Sequence, residues 1–183
     1  MNCDKETGIS IMKIEPELDT GPILMTSKIE ITKNNNYEEL SNKMSNLGAK
    51  LILDALDLIK NKEANFVPQE HEKATYAKKI KKTESKINWN LEAKNIVAQV
   101  NALYPSPGSW FYLKGSRIKI TRAKEIKINS FPGEIINKNF TIGCSKNAVQ
   151  VLELQKEGKN KILAEEFIKG NKLEVGFNIS TDV

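Results

Sequence analysis

The sequence is short of the residues from which many active sites are built. It contains one histidine, His71, and two cysteines, Cys3 and Cys144, which form no CxxC pair. Zinc and similar metals need several His, Cys or carboxylate ligands close together, so we expect no metal site. The neighbours of His71 are mostly charged or polar, which favours a solvated loop histidine. The cysteines are expected to be reduced and unpaired, as is usual in the cytosol.

Long apolar runs and phosphate-binding glycine loops are also absent from the sequence. No run approaches the roughly 20 residues that cross a bilayer, so we expect no membrane span. No basic segment followed by an apolar one opens the chain, so we expect no secretory signal. The stretch from Ser106 to Gly108 is typical of a turn and lacks the pattern of a nucleophile elbow.

Charge is distributed unevenly along the 183 residues. Residues 1–63 carry 8 Lys+Arg against 11 Asp+Glu, whereas residues 64–183 carry 20 against 12. An acidic part followed by a basic part indicates two modules with different partners. The basic part fits either a nucleic-acid surface or a soluble lysine-rich surface, and charge alone leaves both interpretations open.

The acidic part has the pattern of two strands and a long helix. Residues 8–14 and 23–31 alternate apolar and polar side chains, and the turn-forming residues 15–22 separate them. Asparagines 34–36 offer N-caps, with glutamates placed for a capping box. The helix predicted to follow ends near Lys60. Its apolar stripe consists of Leu40, Met44, Leu47, Leu51, Ala55, Leu58 and Ile59.

The basic part begins with a polar segment and continues as a helix and several short strands. Residues 64–85 have few apolar side chains and many lysines, which is typical of a linker. Asn90 is predicted to cap a helix that Pro105 ends. Its buried face is predicted to consist of Leu91, Ile96, Val97, Val100 and Leu103. Short alternating stretches follow at 110–113, 117–123, 133–136, 140–144 and 148–154, with a helix at 164–169. In the second stretch Ile118 and Ile120 should point inward, and Arg117, Lys119 and Thr121 outward. Such strands indicate a small antiparallel barrel or sandwich.

Asp19 is the one residue that invites a catalytic interpretation. It lies in the turn between the two predicted strands. An aspartate there usually bonds its own backbone, and spacing alone favours this structural role. A carboxylate at a strand end is also suited to orient a catalytic base or a water.

Several motifs resemble one enzyme family. Residues 5–12 (Lys-Glu-Thr-Gly-Ile-Ser-Ile-Met) and 18–24 (Leu-Asp-Thr-Gly-Pro-Ile-Leu) resemble the late part of folate-dependent formyltransferase domains. In order and spacing, the later motifs resemble the linker and carboxy-terminal domain of the methionyl-tRNA formyltransferases. These later motifs are residues 67–69, 74–80, 87–90, 103–110 and 131–135.

The resemblance implies an α+β fold with three parts. Residues 1–63 would be the end of an α/β formyltransferase domain, residues 64–86 a basic linker, and residues 87–183 a small OB-like antiparallel β-barrel. The family transfers the formyl group of 10-formyltetrahydrofolate to the amino group of methionyl initiator tRNA. The implied formyl donor is therefore 10-formyltetrahydrofolate, and the implied partner is initiator methionyl-tRNA. We expect a cytoplasmic monomer.

The resemblance also implies site residues. Asp19 stands at the family's catalytic aspartate, where it would orient a histidine and hold the amine. The family's catalytic asparagine and the histidine of its His-x-Ser-Leu-Leu-Pro motif have no counterpart in these 183 residues. We therefore expect the chain alone to be inactive, and a fragment, a misplaced start and a genuinely short protein all stay open. The residues expected to bind tRNA are Lys78, Lys79, Lys81, Lys82, Arg117, Lys119 and Arg122.

Two alternatives remain open at this level. An amino-sugar formyltransferase would share Leu-Asp-Thr-Gly but should lack the basic linker and the Tyr-Pro-Ser-Pro-Gly-Ser-Trp stretch. A free-standing tRNA-binding module would keep the basic surfaces and perform no catalysis.

Overall fold

The computed structural model describes residues 1–171 and 173–179. The chain divides into two compact units. The small unit consists of residues 4–79, and the large unit consists of residues 1–3 together with those from residue 80 onward. The boundary between the units falls inside the segment 64–86.

Two antiparallel strands and one helix form the small unit. Strand β1 (Glu6–Met12) pairs with β2 (Ile23–Glu30), and helix α1 (Tyr37–Lys60) packs against both strands. The Asn36 side chain accepts a hydrogen bond from the Glu39 backbone N at 2.9 Å, and the Glu39 carboxylate accepts one from the Asn36 backbone N at 3.4 Å. The predicted capping box is therefore confirmed.

The segment after α1 is partly built into the small unit. Val67 and Ile23 exchange two backbone hydrogen bonds of 2.8 Å, so the chain at Val67 runs beside the start of β2. A 3-10 helix follows at His71–Lys73. Residues 74–81 have no regular secondary structure, and all of them are exposed.

The large unit contains two helices and an antiparallel sheet. Its elements are α2 (Ala93–Leu103), β3 (Ser109–Leu113), β4 (Ser116–Ile126), β5 (Ile135–Asn137), β6 (Thr141–Gly143), β7 (Ala148–Lys156), β8 (Lys161–Leu163) and α3 (Ala164–Asn171). The strand order is β3-β4-β7-β6-β5, with β8 paired to β7. Among the described residues no pairing joins β5 to β3, so the sheet is open between these two strands. The α+β class is confirmed at this level.

The core of the large unit lies between α2, the sheet and α3. Phe140 is fully buried, and its ring centroid is 6.3 Å from that of Phe111 and 5.8 Å from that of Phe167. Four of the five residues predicted for the buried face of α2 are buried as expected: Ile96, Val97, Val100 and Leu103.

The predicted start of α2 is wrong. Leu91 is 43% exposed, and the helix begins at Ala93 with Glu92 as its N-cap. The Asn90 backbone N donates to the Asn88 side chain at 3.1 Å, which closes a turn before the helix. The Ala93 N–H donates to the Lys146 carbonyl at 3.1 Å, so a distant loop satisfies a helix-end donor that a local cap would otherwise bind.

Thr121 was predicted to point outward and is buried. The pairing of β4 with β7 shifts register between Ile120 and Arg122, which is a β-bulge at Thr121. A bulge inserts one extra residue and reverses the alternation of side chains beyond it. Arg122 therefore continues the outer row of β4 and is exposed.

Within the described residues, no helix combines the length and apolar character that a membrane crossing requires.

Candidate functional site

Asp19 lies in the loop that joins β1 to β2, and the backbone of this loop is closely packed. Asp19 has φ +56°, in the left-handed region that aspartate tolerates better than most residues. Gly21 is buried, and a Cβ there would lie 1.9 Å from the Lys13 carbonyl oxygen. Only glycine fits this position, because the neighbouring backbone occupies the space of a side chain. The glycine of the Leu-Asp-Thr-Gly sequence is thus required locally by packing.

Gln69 holds this loop from outside, and sequence reasoning used it only as a landmark. Its Nε2 donates to the Asp19 carbonyl at 2.9 Å and to the Gly21 carbonyl at 2.7 Å. Thr20 adds an internal bond from its hydroxyl to the Glu17 carbonyl at 3.1 Å. No local pattern reveals the role of Gln69, because the residues that it contacts lie 48 and 50 positions away.

The Asp19 side chain itself is exposed. No ion pair within the described residues restrains its carboxylate. Beside it lies a concavity of about 330 Å³, lined by Met12 and residues 14–21. The arrangement is a fixed backbone that presents a free carboxylate to an open surface.

The other reactive side chains lie elsewhere. His71 is exposed on its 3-10 helix. Cys3 is exposed and Cys144 is buried, and neither forms a disulfide. Burial raises the pKa of the Cys144 thiol to about 12, so at neutral pH this group is a neutral core side chain and no nucleophile. In the part of the chain that the structure describes, no group of three or more His, Cys, Asp or Glu is placed to hold a metal.

The four lysines between residues 78 and 82 that are expected to contact tRNA are all exposed, two in each unit. Lys78 and Lys79 lie in the irregular end of the small unit. Lys81 precedes the 3-10 helix Lys82–Ser85 of the large unit. The Lys81 backbone N donates to the Glu84 carboxylate at 2.7 Å, and Gln99 Nε2 donates to the Glu84 carbonyl at 2.7 Å. These bonds tie the second lysine pair to α2.

Arg117, Lys119 and Arg122 lie on the outer face of β4. Two aromatic residues that sequence reasoning missed share this face. Trp110 pairs with Lys119, and Tyr112 pairs with Arg117. Both aromatic side chains are half-buried on the outer side of β3, whereas Phe111 between them is in the core.

Arg117, Trp110 and Tyr112 are in contact in a row. The Arg117 guanidinium carbon lies 4.3 Å from the centroid of the Trp110 ring, and the Trp110 and Tyr112 rings meet edge to face at 5.2 Å. Lys86 Nζ lies 5.7 Å from the Tyr112 ring. We call Lys86, Trp110, Tyr112, Arg117, Lys119 and Arg122 the aromatic–basic face. Interleaved aromatic and cationic side chains are typical of surfaces that bind nucleic acid.

Comparison with known protein families matches both units. The family model described as formyl transferase, C-terminal domain, matches residues 79–172, and the one described as formyl transferase matches residues 1–56. The chain belongs to the formyl transferase family. The two matches occur in the order that the sequence motifs predict.

Curated relatives in this family cover nearly all of the chain. The methionyl-tRNA formyltransferase of Dictyoglomus turgidum is 43% identical over 185 residues, which is 96% of this chain and 59% of the relative. That of Pelagibacter ubique is 38% identical over 181 residues, which is 98% of this chain and 58% of the relative. The chain therefore spans about three-fifths of the length of these formyl transferases.

Solved structures support the fold. HypX from Aquifex aeolicus aligns with TM-score 0.69 at 16% identity, covering 96% of this chain and 32% of that chain. An N-formyltransferase from Helicobacter canadensis, solved with folinic acid and dTDP-3-aminofucose, aligns with TM-score 0.66 at 20% identity, covering 84% and 56%. At these identities the likeness concerns the formyl transferase fold alone.

Proposed function

We propose that this chain is part of a methionyl-tRNA formyltransferase, which transfers a formyl group from 10-formyltetrahydrofolate to methionyl initiator tRNA in translation initiation. The observation that carries the proposal is the match of relatives bearing that name, at 38–43% identity across 96–98% of the chain. We place this activity in the cytoplasm, where initiator tRNA is charged and used.

The Asp19 loop suits this chemistry. In formyl transfer the amine forms a bond to the formyl carbon, loses a proton, and displaces the nitrogen of the donor. The reaction needs a base for the proton and hydrogen-bond donors for the developing oxyanion. We assign the Asp19 carboxylate to holding the amine and orienting the base. The base and the oxyanion donor would be the histidine and asparagine of the resemblance, which these 183 residues do not contain.

The large unit suits an RNA partner. The aromatic–basic face offers cations for phosphates and planar groups for bases. We also infer that the open sheet corresponds to the OB-like barrel of the resemblance, because short antiparallel strands and the bulge at Thr121 help a small sheet to curl.

An amino-sugar formyltransferase is the second candidate, because the Helicobacter canadensis structure shares the fold. A sugar nucleotide is too small to contact four exposed lysines and an extended aromatic–basic face. These features favour a polyanionic acceptor. A tRNA-binding module without catalysis is the third candidate, and formylation by the fusion protein described below would exclude it.

The four exposed lysines at positions 78, 79, 81 and 82 should carry part of the tRNA affinity. Changing Lys78, Lys79, Lys81 and Lys82 together to Gln is expected to weaken tRNA binding and to reduce the slope of log K against log salt by about two, at about 0.9 per phosphate contact. We expect two or three contacts, since four neighbouring lysines do not all reach phosphates at once. Fluorescence titration at several salt concentrations measures both quantities.

A matched variant controls for net charge. Changing Lys43, Lys50, Lys60 and Lys138 to Gln removes the same number of charges from exposed positions elsewhere. It should leave the slope of log K against log salt within about half a unit of the parent. Thermal unfolding of the large unit should be nearly unchanged in both variants. An unchanged slope and affinity in the first variant would contradict the assignment, and would move the contact to Arg117, Lys119 and Arg122.

Formyl transfer by a fusion protein tests the function. The residues of the Dictyoglomus turgidum relative that precede its match are joined ahead of residue 1. With labelled 10-formyltetrahydrofolate the fusion is expected to formylate methionyl initiator tRNA, and the 183 residues alone are expected to give none. Turnover by the 183 residues alone at the rate of the intact relative would show that the active site is assigned wrongly.

A further inference from the structure

Gln69 bonds two carbonyls on either side of Thr20 with a single side-chain nitrogen. The distances from Nε2 are 2.9 Å to the Asp19 oxygen and 2.7 Å to the Gly21 oxygen. Both partners are acceptors, so this atom must be the amide nitrogen, whose two hydrogens satisfy one carbonyl each. The geometry is a clamp across the residue that follows Asp19.

The clamp is anchored in the sheet. Two residues before Gln69, Val67 exchanges two backbone hydrogen bonds of 2.8 Å with Ile23, the first residue of β2. Gln69 Nε2 also lies 3.8 Å from the Met12 sulfur at the end of β1. The side chain is half-buried. It therefore ties the loop to the strands at both of its ends.

Apart from the close fit of Gly21 and the Thr20 hydrogen bond to the Glu17 carbonyl, little restrains the loop around Asp19. Residues 13–19 are all exposed, and Asp19 adopts a left-handed conformation that side chains other than glycine seldom take. Exposed loop residues with few contacts sample many conformations. A catalytic group must be held within about 0.5 Å of its productive position.

We infer that Gln69 is a positioning residue, which holds the backbone of Asp19 so that its carboxylate stays in place for catalysis. The inference rests on the proposed function, because Asp19 acts in it. The Gln69 amide nitrogen bonds the loop backbone and lies beside Met12, so its effect on the reaction is exerted through Asp19.

The backbone rigidity of the loop, measured by NMR in the 183-residue chain, tests the clamp directly. In Gln69→Ala the NMR order parameter of the Thr20 amide should fall from about 0.85 to below about 0.6. In Gln69→Glu a carboxylate faces two carbonyls and repels them at neutral pH, so the loop should loosen equally. At low pH the protonated carboxyl donates one hydrogen bond, and the order should partly return.

Gln155→Glu is the matched control. Gln155 Nε2 donates to the Lys159 carbonyl at 2.8 Å in the large unit, so this variant makes the same chemical change away from the loop. It should leave the Thr20 amide unchanged at both pH values. Intact cross-strand contacts of β1 with β2 in every variant exclude loss of folding. A Thr20 amide that stays rigid in Gln69→Ala would overturn the inference.

Activity of the fusion then distinguishes a positioning role of Gln69 from a purely structural one. Gln69→Ala should lower kcat by about 10- to 100-fold with KM nearly unchanged, and Gln69→Glu should regain activity relative to the parent as pH falls. In an Asp19→Ala background, Gln69→Ala should lower kcat by less than about threefold, because the carboxylate that Gln69 positions is gone.

Failure of the clamp and failure of the proposed function give different results. If the loop loosens in Gln69→Ala while Asp19→Ala remains fully active, Asp19 has no catalytic role. Gln69 is then not a positioning residue for catalysis either. If Asp19→Ala is inactive while Gln69→Ala is fully active with a loosened loop, the role of Asp19 stands and Gln69 is not a positioning residue.

Discussion

Replacing Asp19 by Ala in the fusion is expected to slow formylation of methionyl initiator tRNA by a factor of about 10² to 10⁴, the range usual for loss of a group that assists proton transfer. The carboxylate is exposed beside the concavity, and its backbone is fixed by Gly21 and Gln69. The change should appear in kcat, because the amine must lose its proton as it attacks. Single-turnover rates with saturating tRNA measure this step.

Asp19→Asn separates charge from conformation. Asparagine adopts the left-handed region as readily as aspartate, so the loop should keep its shape while the carboxylate is lost. We expect the rate to fall nearly as far as in Asp19→Ala. Glu17→Ala removes another exposed carboxylate of the same loop and should stay within about threefold of the parent, because Thr20 bonds the backbone of Glu17 and not its side chain. Equal losses in Glu17→Ala and Asp19→Asn would contradict a specific role for Asp19.

Residues 80–183 alone are expected to fold, and residues 4–79 alone are not. The cluster of buried apolar side chains lies wholly in the large unit. Among the described residues of the small unit, Leu51 and Ala55 are the only buried apolar side chains, and α1 exposes Ile52, Leu53, Leu56 and Ile59. A two-stranded sheet with one helix and so small a core is marginal in water.

Proton–nitrogen correlation spectra of the two separate pieces measure this difference. The large unit should give dispersed peaks that overlay on those of the whole chain, and the small unit should give the narrow amide range of an unfolded chain. A dispersed spectrum from residues 4–79 alone would show that its own contacts suffice.

The sequence predicted elements whose signals are local. Helix α1 was found because its N-cap, its capping box and most of its apolar stripe repeat at short spacing. Ile59 is the exception, since it was assigned to the stripe and is 48% exposed. Strand β8 was missed, because only three residues pair with β7 after the turn at Gly158. The start of α2 and the burial of Thr121 depend on partners elsewhere in the chain.

The candidate site shows the same difference between residues with local sequence signals and residues whose role depends on distant contacts. Asp19 is identified by a short motif that resembles a family, and the fit of Gly21 explains the glycine of that motif locally. Gln69 and the aromatic pair of β3 were not selected. Their contacts arise when distant segments meet, with Gln69 crossing to the loop and Trp110 packing under Arg117. Alternation of strand residues indicates which face is outward, but not which side chains stack there.

In the proposed function the acceptor is the amino group of methionyl-tRNA. The most direct measurement gives the fusion protein labelled 10-formyltetrahydrofolate with charged initiator tRNA and a 3-amino-sugar nucleotide in one reaction, at equal concentration, and follows label into each. We expect the label to enter methionyl-tRNA and the sugar nucleotide to stay unformylated. Label in the sugar nucleotide with none in methionyl-tRNA would contradict it.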